Sequence, residues 1–224
     1  MIKIALIFAL LAFGLFKFLT RKKAPDGFLT IDDGRANRLL LSPGIPKENL
    51  DAFLTEYEGK NYHRHDNLFH KLSGILPDPA PGTDYADYFN QLNTSQRIYA
   101  VLLQMDGQIN NGGVYQFLWN RPEMIYAAAE ALHELGIEPL DEHFSAVLKE
   151  LESNSADFAR DKRVWNDPAI SHEQKWTVFQ EGRRYIPTGD RIEAYFYTDE
   201  FAQYFHGKVM DYLREHRASF GVPA

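Results

Sequence analysis

The chain has 224 residues and no cysteine, with 24 Lys/Arg against 31 Asp/Glu and a formal charge of −7. The missing cysteine excludes disulfides, thiolate catalysis and cysteine-ligated zinc or iron–sulfur sites. Residues 1–23 hold five Lys/Arg and no acid, so residues 24–224 carry 19 basic and 31 acidic groups, a net of −12 that repels nucleic-acid phosphates and favours basic partners.

The first element is apolar. Ile4–Phe16 is a run of thirteen apolar or glycine residues, interrupted by Lys17 and closed by Arg21-Lys22-Lys23. Ile2 to Leu19 is eighteen residues, about 27 Å of helix at roughly 1.5 Å each. That spans a hydrocarbon core of about 30 Å when Lys3 and Lys17 snorkel outward. The stretch lacks the small residues a leader peptidase needs, since Lys22-Lys23-Ala24 puts lysine at −3. Residues 1–23 therefore read as a signal-anchor transmembrane helix with a basic collar. It meets the membrane through residues 2–19. The more basic flank follows the core, which predicts a single-pass protein of a bacterial inner membrane with its body in the cytoplasm.

Residues 24–92 read as a helical extension. Phe28–Ile31 and Leu39–Leu41 flank Asp32-Asp33-Gly34 as a candidate small hairpin. Leu50, Phe53, Leu54 and Tyr57 follow helical spacing within 47–58, between Pro46 and Gly59. A second helix is predicted over 63–76, ended by the Pro-rich 77–82, and a short one over 84–92.

Residues 93–217 form the helical domain proper. Thr94 or Ser95 is the expected cap of a helix through Ile98, Val101, Leu102 and Met105, which Asn110-Asn111-Gly112-Gly113 is expected to end. Val114–Trp119 is a short apolar turn or helix. Asn120-Arg121-Pro122-Glu123 resembles an N-cap with glutamate at N3, opening a helix that stops at Gly136. Further helices are predicted over 140–151, over 175–185 behind the capping-box pattern Ser171-His172-Glu173-Gln174, and over 199–217 behind Thr198. The fold class is mainly α, a compact unit of about seven helices after one N-terminal transmembrane helix.

The segment Gln108-Ile109-Asn110-Asn111-Gly112-Gly113-Val114-Tyr115-Gln116-Phe117-Leu118-Trp119-Asn120 resembles the signature of a bacterial domain family named for DNA-mimic proteins. The Ala-rich helix that ends Leu-Gly-Ile, and Ile192–Tyr197 before the last helix, are also similar to that family. The likeness covers residues 93–217. It implies an α-helical fold and an acidic surface that imitates DNA phosphates to occupy a DNA-binding protein.

Two residue sets are candidates for function. Asn110, Asn111, Gly112, Gly113, Gln116, Trp119 and Asn120 form a polar, glycine-containing block with two readings, a ligand- or partner-binding site or an interhelical turn. Glu130, Glu134, Glu138, Asp141 and Glu142 form an acidic set. Carboxylates at i and i+4 lie about 6 Å apart, comparable to neighbouring phosphates on a strand. His63, His65, His70 and Asp66 have no common helical face and read as surface groups, so no metal site is assigned. Asp106, Asp190 and Glu193 are acids and His133 a base that no motif ties together. No nucleophile elbow, phosphate loop or zinc motif occurs, so no catalytic residue and no cofactor is implied. The aromatics read mostly as core.

The reading is a membrane-anchored protein whose acidic helical domain captures a basic partner such as a DNA-binding protein, without binding nucleic acid directly. The alternatives are a small-molecule-binding or hydrolytic domain at the Asn-Gly-Gly turn, and a structural membrane-proximal protein.

Overall fold

The computed structural model describes residues 27–31, 45–57, 74–76 and 81–222. The N-terminal anchor, the Asp32-Asp33-Gly34 turn of the hairpin, most of the helix at 63–76 and its histidines lie outside these residues. Among the described residues no helix is long and apolar enough to cross a membrane.

The described chain is mainly α-helical. In order come α1 (Lys47–Glu56), α2 (Tyr85–Gln91), α3 (Thr94–Asn120), α4 (Ile125–Leu135), α5 (Leu140–Ser153), α6 (Ser155–Asn166), α7 (His172–Gly182), α8 (Pro187–Phe196) and α9 (Asp199–Glu215). Two two-residue strands, β1 (Ile45–Pro46) and β2 (Gly221–Val222), pair in parallel and set the start of α1 beside residues 221–222.

Helix α3 is the axis of the core. Ile98, Tyr99, Val101, Leu102, Met105, Ile109, Phe117 and Leu118 are all buried on it. A helix with so little polar face must be surrounded. It packs along α4 and α8, α5 lies on both of these, and α6 and α7 pair as a hairpin.

Local chemistry explains most boundaries. Asn93, rather than Thr94 or Ser95, caps α3: its side chain accepts from Gln96 N, and the Gln96 side chain accepts from Asn93 N, a reciprocal capping box. Asn93 and Gln96 also donate to Ser219 O, at 2.8 and 3.0 Å, which ties the start of α3 to the end of the chain. Gly136 is left-handed (φ 57°), with its own N–H on His133 O and the Ile137 N–H on Leu132 O. This Schellman closure stops α4 where the sequence predicts. Ser171 and Thr198 cap α7 and α9 as expected.

The Asn-Asn-Gly-Gly block interrupts the helix as expected: Gly112 and Gly113 are non-helical, and residues 114–120 form a second helical segment joined to the first across a kink. Two expectations are corrected. Asn120 is the last residue of α3 and caps nothing; a 3₁₀ turn at Pro122–Met124 precedes α4 without a side-chain cap. Helices α6 and α8 arise in stretches where no helix is predicted.

Candidate functional site

The kink in α3 organises the region. Gly113 has φ 88° and ψ 176°, a conformation essentially restricted to glycine. It turns the Val114 N–H out of the helix, where it donates to Glu193 Oε1 of α8 at 2.9 Å. The other Glu193 oxygen accepts from Arg183 at 2.8 Å. Glu193 thereby acts as an N-cap for the second half of α3, supplied from a distant helix. A Cβ on Gly113 would collide with that carboxylate. Tyr197 OH donates to Ile109 O at 2.8 Å, taking one of the last carbonyls before the kink.

The kink sends the polar block in two directions. Gln116 and Asn120 donate to Gln108 Oε1, at 3.4 and 2.8 Å, and so form a carboxamide cluster along one side of α3. Asn110 and Asn111 instead border a cavity of about 520 Å³ between α3 and the α8–α9 junction, together with Asp106, Phe196, Tyr197 and His206. Gln116 and Asn120 do not line it. Trp119 is buried among Tyr115, Phe158, Trp165 and Phe179, below the α6–α7 hairpin. Lys162 donates to Trp119 O at 2.8 Å and sits 4.7 Å from its ring centroid; burial lowers the Lys162 pKa. The Trp119 indole N–H and Tyr115 hydroxyl are buried and have no hydrogen-bond partner among the described residues.

The base of the cavity holds a pair separated by 100 residues in sequence. His206 Nε2 lies 3.4 Å from Asp106 Oδ2, and both residues are about 95% buried or more. Asp106 Oδ1 accepts from Asn110 at 2.9 Å. Nε2 of the His206 ring thus faces the carboxylate, and Nδ1 points away from it. Among the described residues Nδ1 has no hydrogen-bond partner, a deficit of about 1–3 kcal/mol. Of the four scattered acids and bases, Asp106 is the one that the structure brings to this cavity. Asp190 lies 3.9 Å from Arg183, and His133 pairs with Asp141 at 3.0 Å near the surface. Sequence reasoning missed His206: it occupies a core register of α9, and only the packing of α9 against α3 reveals its partner.

The acidic set divides too. Glu130 is half-buried and accepts the Ile31 N–H at 2.7 Å, so it holds the N-terminal segment. Asp141 is occupied by His133. Glu134, Glu138 and Glu142 are exposed. Because Gly136 ends α4, the last two are not helical repeats of Glu134; the α4–α5 junction places them. Other carboxylates serve inside the fold. Glu150 accepts from both the backbone N–H and the hydroxyl of Thr188, at 3.1 and 2.6 Å, at the start of α8. Asp161 is buried beside Arg160.

Charge is unevenly spread over these helices. Residues 125–153 hold seven carboxylates and one Lys/Arg, whereas residues 155–185 hold five and six. Helices α4 and α5 thus form the acidic half of the domain, and the α6–α7 hairpin balances its own charge.

No curated protein and no solved structure matches the chain. A family model does, over residues 90–216, from the last turn of α2 to the end of α9. Those limits enclose the kinked helix, the acidic junction and the Asp106–His206 pair, and residues 90–216 carry 20 acidic against 12 Lys/Arg groups. With more than half of its length matched, the chain belongs to the family of DMP19-like proteins.

Proposed function

We propose that the domain binds a basic, DNA-binding protein by presenting carboxylates where that protein expects phosphates. The observation that carries the reading is the exposure of Glu134, Glu138 and Glu142 at the α4–α5 junction, in a stretch with a single Lys/Arg. Family membership supports it. The acids at the start of α9, Asp199 and Glu200, are also exposed, and Tyr204 of that helix donates to Gly136 O at the same junction. Lys208 lies over the Tyr204 ring and is a cation on this side. A negative net charge steers a basic face toward the domain and repels nucleic acid itself. Residues 2–19 would hold the captured protein at the cytoplasmic face of the membrane.

Crosslinking in intact cells identifies the partner, and competition decides the mechanism. The full chain should displace DNA from the partner and lose affinity as salt rises, because exposed charges are screened over about 8–10 Å. Changing Glu134, Glu138 and Glu142 together to lysine should weaken binding by about ten-fold or more. A partner that binds the chain and DNA simultaneously, or ignores the triple change, overturns the reading.

A further inference from the structure

We infer that the cavity between α3 and the α8–α9 junction is a binding site for a small organic cation, separate from the acidic junction. Its volume, about 520 Å³, falls within the range of small-molecule sites. Its lining combines two chemistries. Phe196, Tyr197 and Phe201 supply aromatic rings, and the Asp106 carboxylate supplies charge. None of the described residues lining it is Lys or Arg. Asp106 accepts a hydrogen bond from the Asn110 amide and faces the His206 ring at 3.4 Å. These contacts orient the carboxylate, and neither comes from a Lys or Arg.

A buried carboxylate beside aromatic rings, with no Lys or Arg on it, is an environment that ammonium groups seek, through Coulomb attraction and the faces of the rings. Phosphate- or carboxylate-bearing ligands are disfavoured by the same charge. Asn110 and Asn111 are exposed and form the rim; Asp106, Phe196, Phe201 and His206 are buried and form the floor. The arrangement fits an amine that enters head first, with its charge toward the floor.

The test uses the full chain with choline, benzylamine and spermidine as probes and benzoate as the anionic control, each up to about 10 mM, which covers sites of millimolar Kd. Thermal unfolding and the NMR signals of the His206 ring are read together. At least one amine should raise Tm and move the His206 signals, and benzoate should do neither. Asp106→Asn should abolish the preference of the site for benzylamine over benzoate. Since Asp106 is buried and its variant risks misfolding, the exposed rim residue provides the second arm. Asn111→Asp should tighten amine binding by about five-fold and Asn111→Lys should weaken it by about as much, as expected for one charge at the mouth of a partly screened site. Silence of all three amines, benzoate binding as well as benzylamine, or indifference to both Asn111 changes overturns the inference.

Discussion

Glu193 accepts the Val114 N–H at 2.9 Å across 79 residues of sequence, and with its other oxygen it binds Arg183. One carboxylate thus completes a helix that the chain itself interrupts. Gly113→Ala should be severe. It forces a side chain into φ 88° and displaces Glu193, a loss of about 3–5 kcal/mol when backbone strain and the charge-assisted hydrogen bond are combined. Gly112→Ala should cost about 1 kcal/mol or less, since Gly112 has extended φ and its Cβ meets only the movable end of Gln116. Urea denaturation of the two variants checks the contrast.

Glu130 and Glu142 were grouped by sequence and should separate by experiment. Glu130→Ala leaves the Ile31 N–H without its acceptor and should destabilise the fold by about 1–2 kcal/mol. Glu142→Ala, at an exposed site, should stay within about 0.5 kcal/mol of the parent. Chemical denaturation resolves the difference, and equal effects would remove Glu130 from its structural role.

Arg97 is buried and donates to three backbone carbonyls, Phe89 O at 3.2 Å, Asn90 O at 3.1 Å and Ile31 O at 3.3 Å. Its planar fork reaches all three at once. Lysine is a point donor and cannot, so Arg97→Lys should cost about 2–4 kcal/mol despite keeping the charge. Amide hydrogen exchange should show the loss first near Ile31, the segment held by that fork and by Glu130.

Alkali should unfold the domain through its tyrosines. Burial raises the phenol pKa of Tyr85, Tyr99, Tyr115 and Tyr195, and pushes that of Tyr212 up to about 12. Unfolded phenols titrate near 10. Above that pH the unfolded chain binds fewer protons than the folded one, so stability, fully present below about pH 10, falls as pH rises toward 12. Tyrosine absorbance near 295 nm should therefore rise in step with loss of helical circular dichroism. Ionisation of these residues in a folded chain would contradict the prediction.

The helices that could be read from the chain are those whose ends are decided by neighbouring residues. Ser171 with Gln174, Thr198 before Phe201, and Gly136 after Leu135 each satisfy orphan backbone groups within a few positions, so their signals survive in sequence. Helices α6 and α8 were missed because their support comes from elsewhere. The α6 helix is rich in charge and rests on the aromatic cluster around Trp119 through Phe158 and Trp165. The α8 helix opens at Pro187 and is capped by Glu150 of α5.

The sequence by itself determined the fold class, the net charge, the absence of thiol chemistry and the position of the polar block, since all of these follow from composition and local periodicity. Tertiary structure decided what that block does. Asn-Asn-Gly-Gly stops one helical segment, as its local chemistry implies, and Glu193 caps the next by accepting the Val114 N–H that would otherwise be left to water. Packing likewise separated the structural acids from the exposed ones, and brought Asp106 to His206 across a hundred residues. Neither arrangement has a periodicity to read, because each depends on where two distant helices touch.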